Sequence, residues 1–351
     1  MISLQEILST AKLAGASDVH MTVGIPPRMR VNGDLIGMEY ERLLPPDTEA
    51  LADQIMNDQQ LSKFKEKGEY DMSFSIPNLG RYRVNAYHQR GSVALAFRIV
   101  DTIIPEPEVL GIPDSIIELS QRKRGLVLVT GPTGSGKSTT LASIIDKVNK
   151  TRDAHVITLE DPIEYLHHHE MSMVNQREIG IDSNSYANAL RSALREDPDV
   201  ILVGEMRDLE TISVAITAAE TGHLVLSTLH TIGAASTVDR VIDVFPPHQQ
   251  QQIRIQLSNV LEAVVSQQLI PTVDGKGRVA AFEVMHANHA VRNLIREGKS
   301  HQLTSVMQTN RKSGMITMDE ALTQLYYAGK ISRDDAIEFA QDVDGMELKL
   351  G

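Results

Sequence analysis

The sequence predicts an α/β protein in two parts: a small α+β domain, then a larger domain built on a parallel sheet with helices on both faces. Two observations predict it. The runs GLVLVT (125–130), HVITLE (155–160), DVILVG (199–204) and HLVLSTL (223–229) are short, nearly continuously apolar and separated by helical segments. Strands buried on both faces read this way. Before them lies DTIIPEPEVLGIP (101–113), where Pro105, Pro107 and Pro113 mark a change of character along the chain. The expected boundaries are a first domain over 1–100, a linker over 101–117 and a second domain over 118–351.

In the first domain, Leu4, Ile7, Leu8 and Ala11 share one face of a predicted helix over 3–14. DVHMTV and RMRVNGDLIGM read as strands, the second a hairpin turning at Asn32-Gly33. Residues 46–66 read as helix. YDMSFSI, RYRVNAYHQ and SVALAFRIV follow as three strands, turning at PNLG and QRGS. Period-two alternation puts Arg81, Arg83 and Asn85 on one face of the middle strand and Tyr82, Val84 and Ala86 on the other. In the next strand Val93, Leu95 and Phe97 oppose Ala94, Ala96 and Arg98. Pairing of these two strands would make a cationic face, either a solvated edge or a set of arginines reaching a nucleotide on a neighbouring subunit. Beyond the parallel strands, a hairpin is expected around Asp274–Gly277 and helices over the last 65 residues. Thr317 with Glu320 predicts a capping box, and Ser332 the start of the final helix.

Bulk properties narrow the function. The 351 residues are 42% hydrophobic and 23% charged, ordinary for a globular protein. No apolar run is long enough to span a membrane, and the N-terminus lacks a basic start before an apolar block, so no signal peptide is expected. The absence of cysteine excludes thiolate metal sites and suits a cytosolic protein. With 34 basic against 46 acidic residues the net charge is −12, which argues against a nucleic-acid wrapping surface.

GLVLVTGPTGSGKSTT joins a strand, a glycine-rich loop and a helix start, and Gly131, Gly136, Lys137 and Ser138 fit G-x-x-x-x-G-K-[ST]. Backbone N–H groups of such a loop, here Gly131 and Thr133 through Thr139 (Gly134, Ser135, Gly136, Lys137, Ser138), wrap phosphate oxygens. Lys137 reaches the β and γ phosphates, Ser138 is placed for Mg²⁺, and the helix N-terminus adds favourable partial charge. The pattern therefore calls for ATP with Mg²⁺. A second acidic strand end is supplied by DPDVILVGE, where Gly204 stands in the usual aspartate position and Glu205 would act alone, through water. His223 and His230 bracket the next strand, roughly 23 Å apart at about 3.3 Å per residue, too far to share one ion. His230 lies at the C-terminal rim where ligands sit in open α/β sheets and would sense the γ-phosphate or serve structure.

LEDPIEYLHHHEMS (159–172) sets Glu160, Asp161, Glu164 and Glu170 around His167, His168 and His169. Three successive side chains point in different directions, with no thiol or spaced histidine pair beside them, so a solvated loop is expected rather than a metal site. Pro162 bends the chain after the strand, which aims Glu164 toward the γ-phosphate.

GPTGSGKSTT, ITLEDPIEY, LRSALREDPDVILVGEMRDLET and AAETGHLVLSTLHT resemble, in order, the Walker A, Asp box, Walker B and His box of the secretion ATPase superfamily. ASDVH (16–20), VNQREIG (174–180) and AVRNLIRE (290–297) make the chain most similar to its type IV pilus retraction ATPases. The resemblance implies a PAS-like N-terminal domain and a RecA-like P-loop ATPase domain. It implies a homohexamer at the cytoplasmic face of the inner membrane, working on a pilus platform protein and so on the pilin fibre. Glu164 matches the family's catalytic glutamate, Arg83 and Arg98 its trans-acting arginines, and Arg81 less closely. Arg191, Arg195 and Arg207 lie in matching motifs as interface or phosphate contacts. AVRNLIRE would couple hydrolysis to retraction, with Val291, Leu294 and Ile295 at helical spacing. The missing zinc cysteines and N-terminal extension favour retraction over assembly or type II secretion. An accessory retraction motor and, less closely, a nucleic-acid translocase are the alternatives.

Overall fold

The computed structural model describes residues 3–77, 79–100 and 103–351. The centre of the PNLG turn and the first two residues of the proline-bearing stretch fall outside them. The chain forms two compact units: Met1–Ile103 with Glu164–Leu166, and Ile104–Ile163 with His167–Gly351.

The first unit holds β1 (Asp18–Met21), β2 (Arg28–Val31), β3 (Asp34–Gly37), β4 (Glu69–Ile76), β5 (Gly80–Gln89) and β6 (Ser92–Val100). They form one sheet in the order β3-β2-β1-β6-β5-β4. The hairpin between β2 and β3 turns on Asn32 and Gly33, both at positive φ (52° and 93°), as a tight two-residue turn requires. The helix Leu4–Leu13 buries Leu4, Ile7, Leu8 and Ala11, as the spacing predicts. The segment expected as one helix over 46–66 is two, Pro45–Ile55 and Asp58–Lys67, because Asn57 caps the second through a reciprocal bond pair with Gln60. Ile7, Leu8, Val19, Leu51, Phe64, Tyr82, Val84 and Phe97 close the core. The Tyr82 hydroxyl is buried there without a hydrogen bond, and burial pushes it up to about 12.

The second unit is built on β7 (Gly125–Thr130), β8 (His155–Glu160), β9 (Met173–Glu178), β10 (Val200–Val203), β11 (Leu224–Leu229), β12 (Leu261–Pro271) and β13 (Arg278–His286). The order is β13-β12-β7-β11-β10-β8-β9, with β12 through β9 parallel and β13 antiparallel to β12. Leu126 and Leu128 enter one apolar layer while Val127 and Val129 enter the layer on the opposite face. That two-sided burial is why the runs of β7, β10 and β11 are nearly continuously apolar.

The proline-bearing stretch is not an open linker over its second half. Pro107 starts a short helix, Pro107–Leu110, where its missing N–H costs nothing, and Pro113 precedes another, Asp114–Ile117. Ile112 and Ile116 are buried in the second unit's core. Near the C-terminus, Thr317 caps Met318–Tyr327 by accepting from the Glu320 N–H, but Glu320 turns its carboxylate to Arg311 and Lys349 rather than back to the cap. Ser332 starts Arg333–Glu338, and one further helix, Val343–Leu350, follows. No helix among the described residues is long and apolar enough to cross a membrane.

Candidate nucleotide site

The phosphate loop leaves the C-terminal end of β7 and enters the helix Lys137–Thr151. Gly131, Gly134 and Gly136 hold positive φ of 143°, 77° and 89°, a region L side chains rarely adopt. Two of them are also closed sterically. A Cβ at 131 would lie 2.2 Å from the Gln267 carbonyl oxygen, and a Cβ at 136 would lie 2.8 Å from Gln267 Nε2. Lys137 Nζ donates to the Gly131 and Pro132 carbonyls, 2.9 Å each, so its ammonium lies along the inner wall of the loop. Ser135 is buried and its Oγ bonds to nothing in the protein, which leaves the hydroxyl for an oxygen-bearing ligand. Pro132, Thr133 and Gly134 form the exposed outer edge, and Ser138 and Thr139 are half-buried in the first helical turn.

Glu205 stands at the same rim. β11 lies between β7 and β10, and Glu205 follows the end of β10 by two residues. Its carboxylate takes Arg207 Nε at 2.7 Å on one oxygen and His230 Nε2 at 3.3 Å on the other. Thr228 Oγ1 donates to the Gly204 carbonyl at 2.6 Å, and the Met206 N–H to the Thr228 carbonyl at 3.1 Å, which pins this turn to β11. Position 204 has no room for an acid. A Cβ there would sit 2.8 Å from the Tyr186 hydroxyl and 3.1 Å from the Leu159 carbonyl. Burial, with Asp161, Glu205 and Glu160 nearby, raises the Tyr186 phenol well above its ordinary value, so it stays protonated beside the carboxylates.

The structure thus brings Glu205 and His230 to the rim that carries the loop, with Arg207 drawn onto Glu205. His223, at the other end of β11, is tied to its own turn through the Ala218 carbonyl, 2.9 Å from Nδ1. Glu164 is exposed and counts with the first unit; it follows the cis Asp161–Pro162 peptide and lies four residues past Glu160 at the end of β8. Arg191 pairs with Glu210 at 2.5 Å, and Arg195 is exposed.

His168 and His169 are exposed, as a solvated loop requires, and only His167 departs from that expectation. His167 is largely buried, its Nδ1 unpartnered, and burial lowers the imidazole to about 4. The His168 carbonyl accepts from Asn149 Nδ2 at 2.6 Å, and His169 Nδ1 accepts from the Val174 N–H at 3.0 Å. The three residues bind the connection after β8 onto the helix Lys137–Thr151 and β9. Among the described residues no three acidic, histidine or cysteine side chains gather to hold a metal ion.

In the first unit, β5 and β6 pair as a hairpin and the cationic face forms. Arg83 is directly opposite Arg98, Arg98 opposite Asp18, and Asp18 opposite Arg30. Arg98 Nε binds Asp18 Oδ1 at 3.0 Å, and Ser17 Oγ donates to Asp18 Oδ2 at 2.8 Å. Burial works to raise the Asp18 carboxyl, but Ser17 and Arg98 outweigh it and hold it below the usual range. Arg81 is two residues along the same face of β5.

The family described as "Type II/IV secretion system protein" matches residues 112–276. The chain is 49% identical over 340 residues to the type IV pilus retraction ATPase PilT of Pseudomonas aeruginosa, covering 97% of this chain and 98% of that one. The chain belongs to the PilT-like retraction ATPases. Another relative, the twitching motility protein of Neisseria gonorrhoeae, is 47% identical over 346 residues, covering 99% of this chain and 92% of that one. A crystal structure of the pilus retraction motor PilT with bound ADP aligns at a TM-score of 0.92 and 50% identity, covering 99% of this chain and 100% of that one. The PilT-like chain is an ATPase.

Two groups of buried polar residues in this PilT-like chain escape the motifs. Ser266, Gln267 and Gln268 are three successive buried polar residues on β12. Ser266 Oγ accepts from the Gly233 N–H at 2.9 Å, Gln267 Oε1 accepts from Thr140 Oγ1 at 2.7 Å, and Gln268 Nε2 donates to the Phe339 carbonyl at 3.3 Å. Glu283, on β13, is buried and accepts from the Ala234 and Met318 N–H groups at 2.6 and 3.0 Å and from Gln341 Nε2 at 3.2 Å. Polar side chains inside an otherwise apolar run, as in VVSQQLIP, were the available signal.

Proposed function

We propose that the protein is a homohexameric, ATP-hydrolysing motor at the cytoplasmic face of the inner membrane that withdraws type IV pili through an inner-membrane platform protein. The observation that carries this reading is the intact phosphate loop on β7 with the Glu205–His230 pair at the adjoining strand ends, in a chain similar end to end to a retraction motor.

ATP lies on Gly131 and Thr133–Thr139, with Lys137 on the β and γ phosphates and His230 near the γ-phosphate. Mg²⁺ fits a donor set made only of oxygen, the Ser138 hydroxyl directly and Glu205 through water, since this ion keeps much of its hydration beside phosphates. When bound, it neutralises phosphate charge. Strands lie about 4.8 Å apart, so Glu205, two strands from the loop, stands about 10 Å from it across the rim, room for a phosphate and a hydrated ion. Arg207 and His230 fix the Glu205 carboxylate in orientation. Glu164 orients the attacking water and takes its proton. Arg83 and Arg98, with Arg81, reach the nucleotide of a neighbouring subunit and stabilise transition-state charge, so turnover depends on closing that subunit interface.

Deleting the gene in its host and counting surface pili while scoring surface motility tests the reading. Retraction predicts abundant pili without motility; scarce pili point to assembly instead. For the catalytic assignment, Glu164→Ala abolishes turnover with nucleotide binding kept. Intact turnover in Glu164→Ala with none in Glu205→Ala reverses the two roles.

A further inference from the structure

We propose that Gln267 is a positioning residue of the ATPase reaction: it fixes the phosphate loop from the neighbouring strand. β12 runs parallel to β7 with Ser266 in register with Thr130, so Gln267 stands beside Gly131, the first residue of the loop. From there one residue meets the loop at both ends. Its backbone carbonyl fills the space a side chain at 131 would need, and its amide Nε2 fills the space a side chain at 136 would need. Its Oε1 accepts from Thr140 Oγ1 at 2.7 Å, which ties it also to the first turn of the helix that follows. Gln267 and Thr140 are both buried, 4% and 1% exposed, so water does not substitute for this bond.

The chemistry explains why the residue is an amide. Its acceptor end meets a hydroxyl. Its other end lies against a loop whose ligand carries several negative charges, where N–H is tolerated and a carboxylate oxygen is repelled. A leucine of similar size keeps the packing and loses the bond. A glutamate keeps the shape and adds charge. Because Gln267 touches the loop and not the reacting atoms, its loss should act on nucleotide binding before it acts on the chemical step.

Fluorescent ADP binding and steady-state ATP hydrolysis, both on the full-length protein, test the proposal. Gln267→Leu should weaken ADP binding and raise KM for ATP about tenfold, with a smaller change in kcat and a melting temperature lowered by the lost buried bond but still well above the assay temperature. Thr140→Val should reproduce this, and the double variant should be no worse than either single one. Gln267→Glu should bind more weakly than Gln267→Leu at pH 8 and recover as the pH falls toward carboxylate titration, a response that a packing role would not give. Unchanged ADP affinity in Gln267→Leu, fully additive losses in the double variant, or affinity that falls only in step with melting temperature overturns the proposal. Should Gln267→Leu fail to fold, Thr140→Val removes the same bond from the other side and is read by the same criteria.

Discussion

Acid should weaken the second unit through one histidine. Burial holds the His167 imidazole near 4, against an ordinary value of 6.5. As pH falls through 6.5 the unfolded chain takes up a proton there and the folded chain does not. Between these two values the unfolded state binds more protons, so stability is fully present above about 6.5 and is lost progressively down to about 4. Over the whole window the loss is ~3 kcal/mol at 1.36 kcal/mol per pH unit. Between pH 7 and pH 5 it comes to about 2 kcal/mol. The perturbation is His167→Leu, which removes the titration; His167 Nδ1 has no partner to lose. The assay is urea unfolding of wild type and variant at pH 7, 6 and 5, read by circular dichroism. Wild type should lose about 2 kcal/mol more than the variant between the end points. Parallel pH dependence in the two proteins would refute burial as the cause, whatever their offset at pH 7.

Other residues give equally direct outcomes. Gly204→Asp should destabilise the fold by about 2 kcal/mol through the clash with the Tyr186 hydroxyl, and Tyr186→Ala in the same chain should relieve part of it, read by thermal melting. Glu205→Gln should cut kcat at least about a hundredfold with ADP affinity kept, measured by phosphate release and nucleotide titration. Glu283→Ala strands two backbone N–H groups and should cost about 3 kcal/mol, with faster hydrogen exchange over residues 234–243 and 318–327. In the helix His289–Glu297, Ile295→Ala should cost about 2–5 kcal/mol because Ile295 is core, whereas Asn293→Ala on the exposed side should leave melting unchanged.

That last contrast shows where sequence reading stops. AVRNLIRE reads as an amphipathic surface helix, and its spacing is right, but Val291 and Ile295 are fully buried and Arg292 caps the end of Pro247–Val260 through the Ser258 and Asn259 carbonyls. A variant of Leu294 and Ile295 therefore disturbs the fold, and a coupling surface has to be sought among Asn293, Arg296 and Glu297. The central strands were legible because burial on both faces leaves mostly apolar residues. β9 was read as a motif and not as a strand, since its edge position lets polar residues interrupt the run. The phosphate loop was legible because its glycines are required by backbone geometry. Gln267, which closes two of those glycines from outside, was not, because it lies 127 residues from its partner Thr140. The buried His167 was hidden for the same reason: a run of histidines reports composition, while exposure depends on what packs over it.

Glu283 carries a consequence for how this unit moves. One carboxylate accepts from the first N–H of Ala234–Asp243 and the first N–H of Met318–Tyr327, while Gln341 from the C-terminal segment binds it too. The loop after β11 that carries His230 and the helices at the far end of the chain are therefore latched to a single buried carboxyl group. Displacing either helix takes a donor from this buried carboxyl and strands a backbone N–H, a cost that couples movement of one helix to movement of the other.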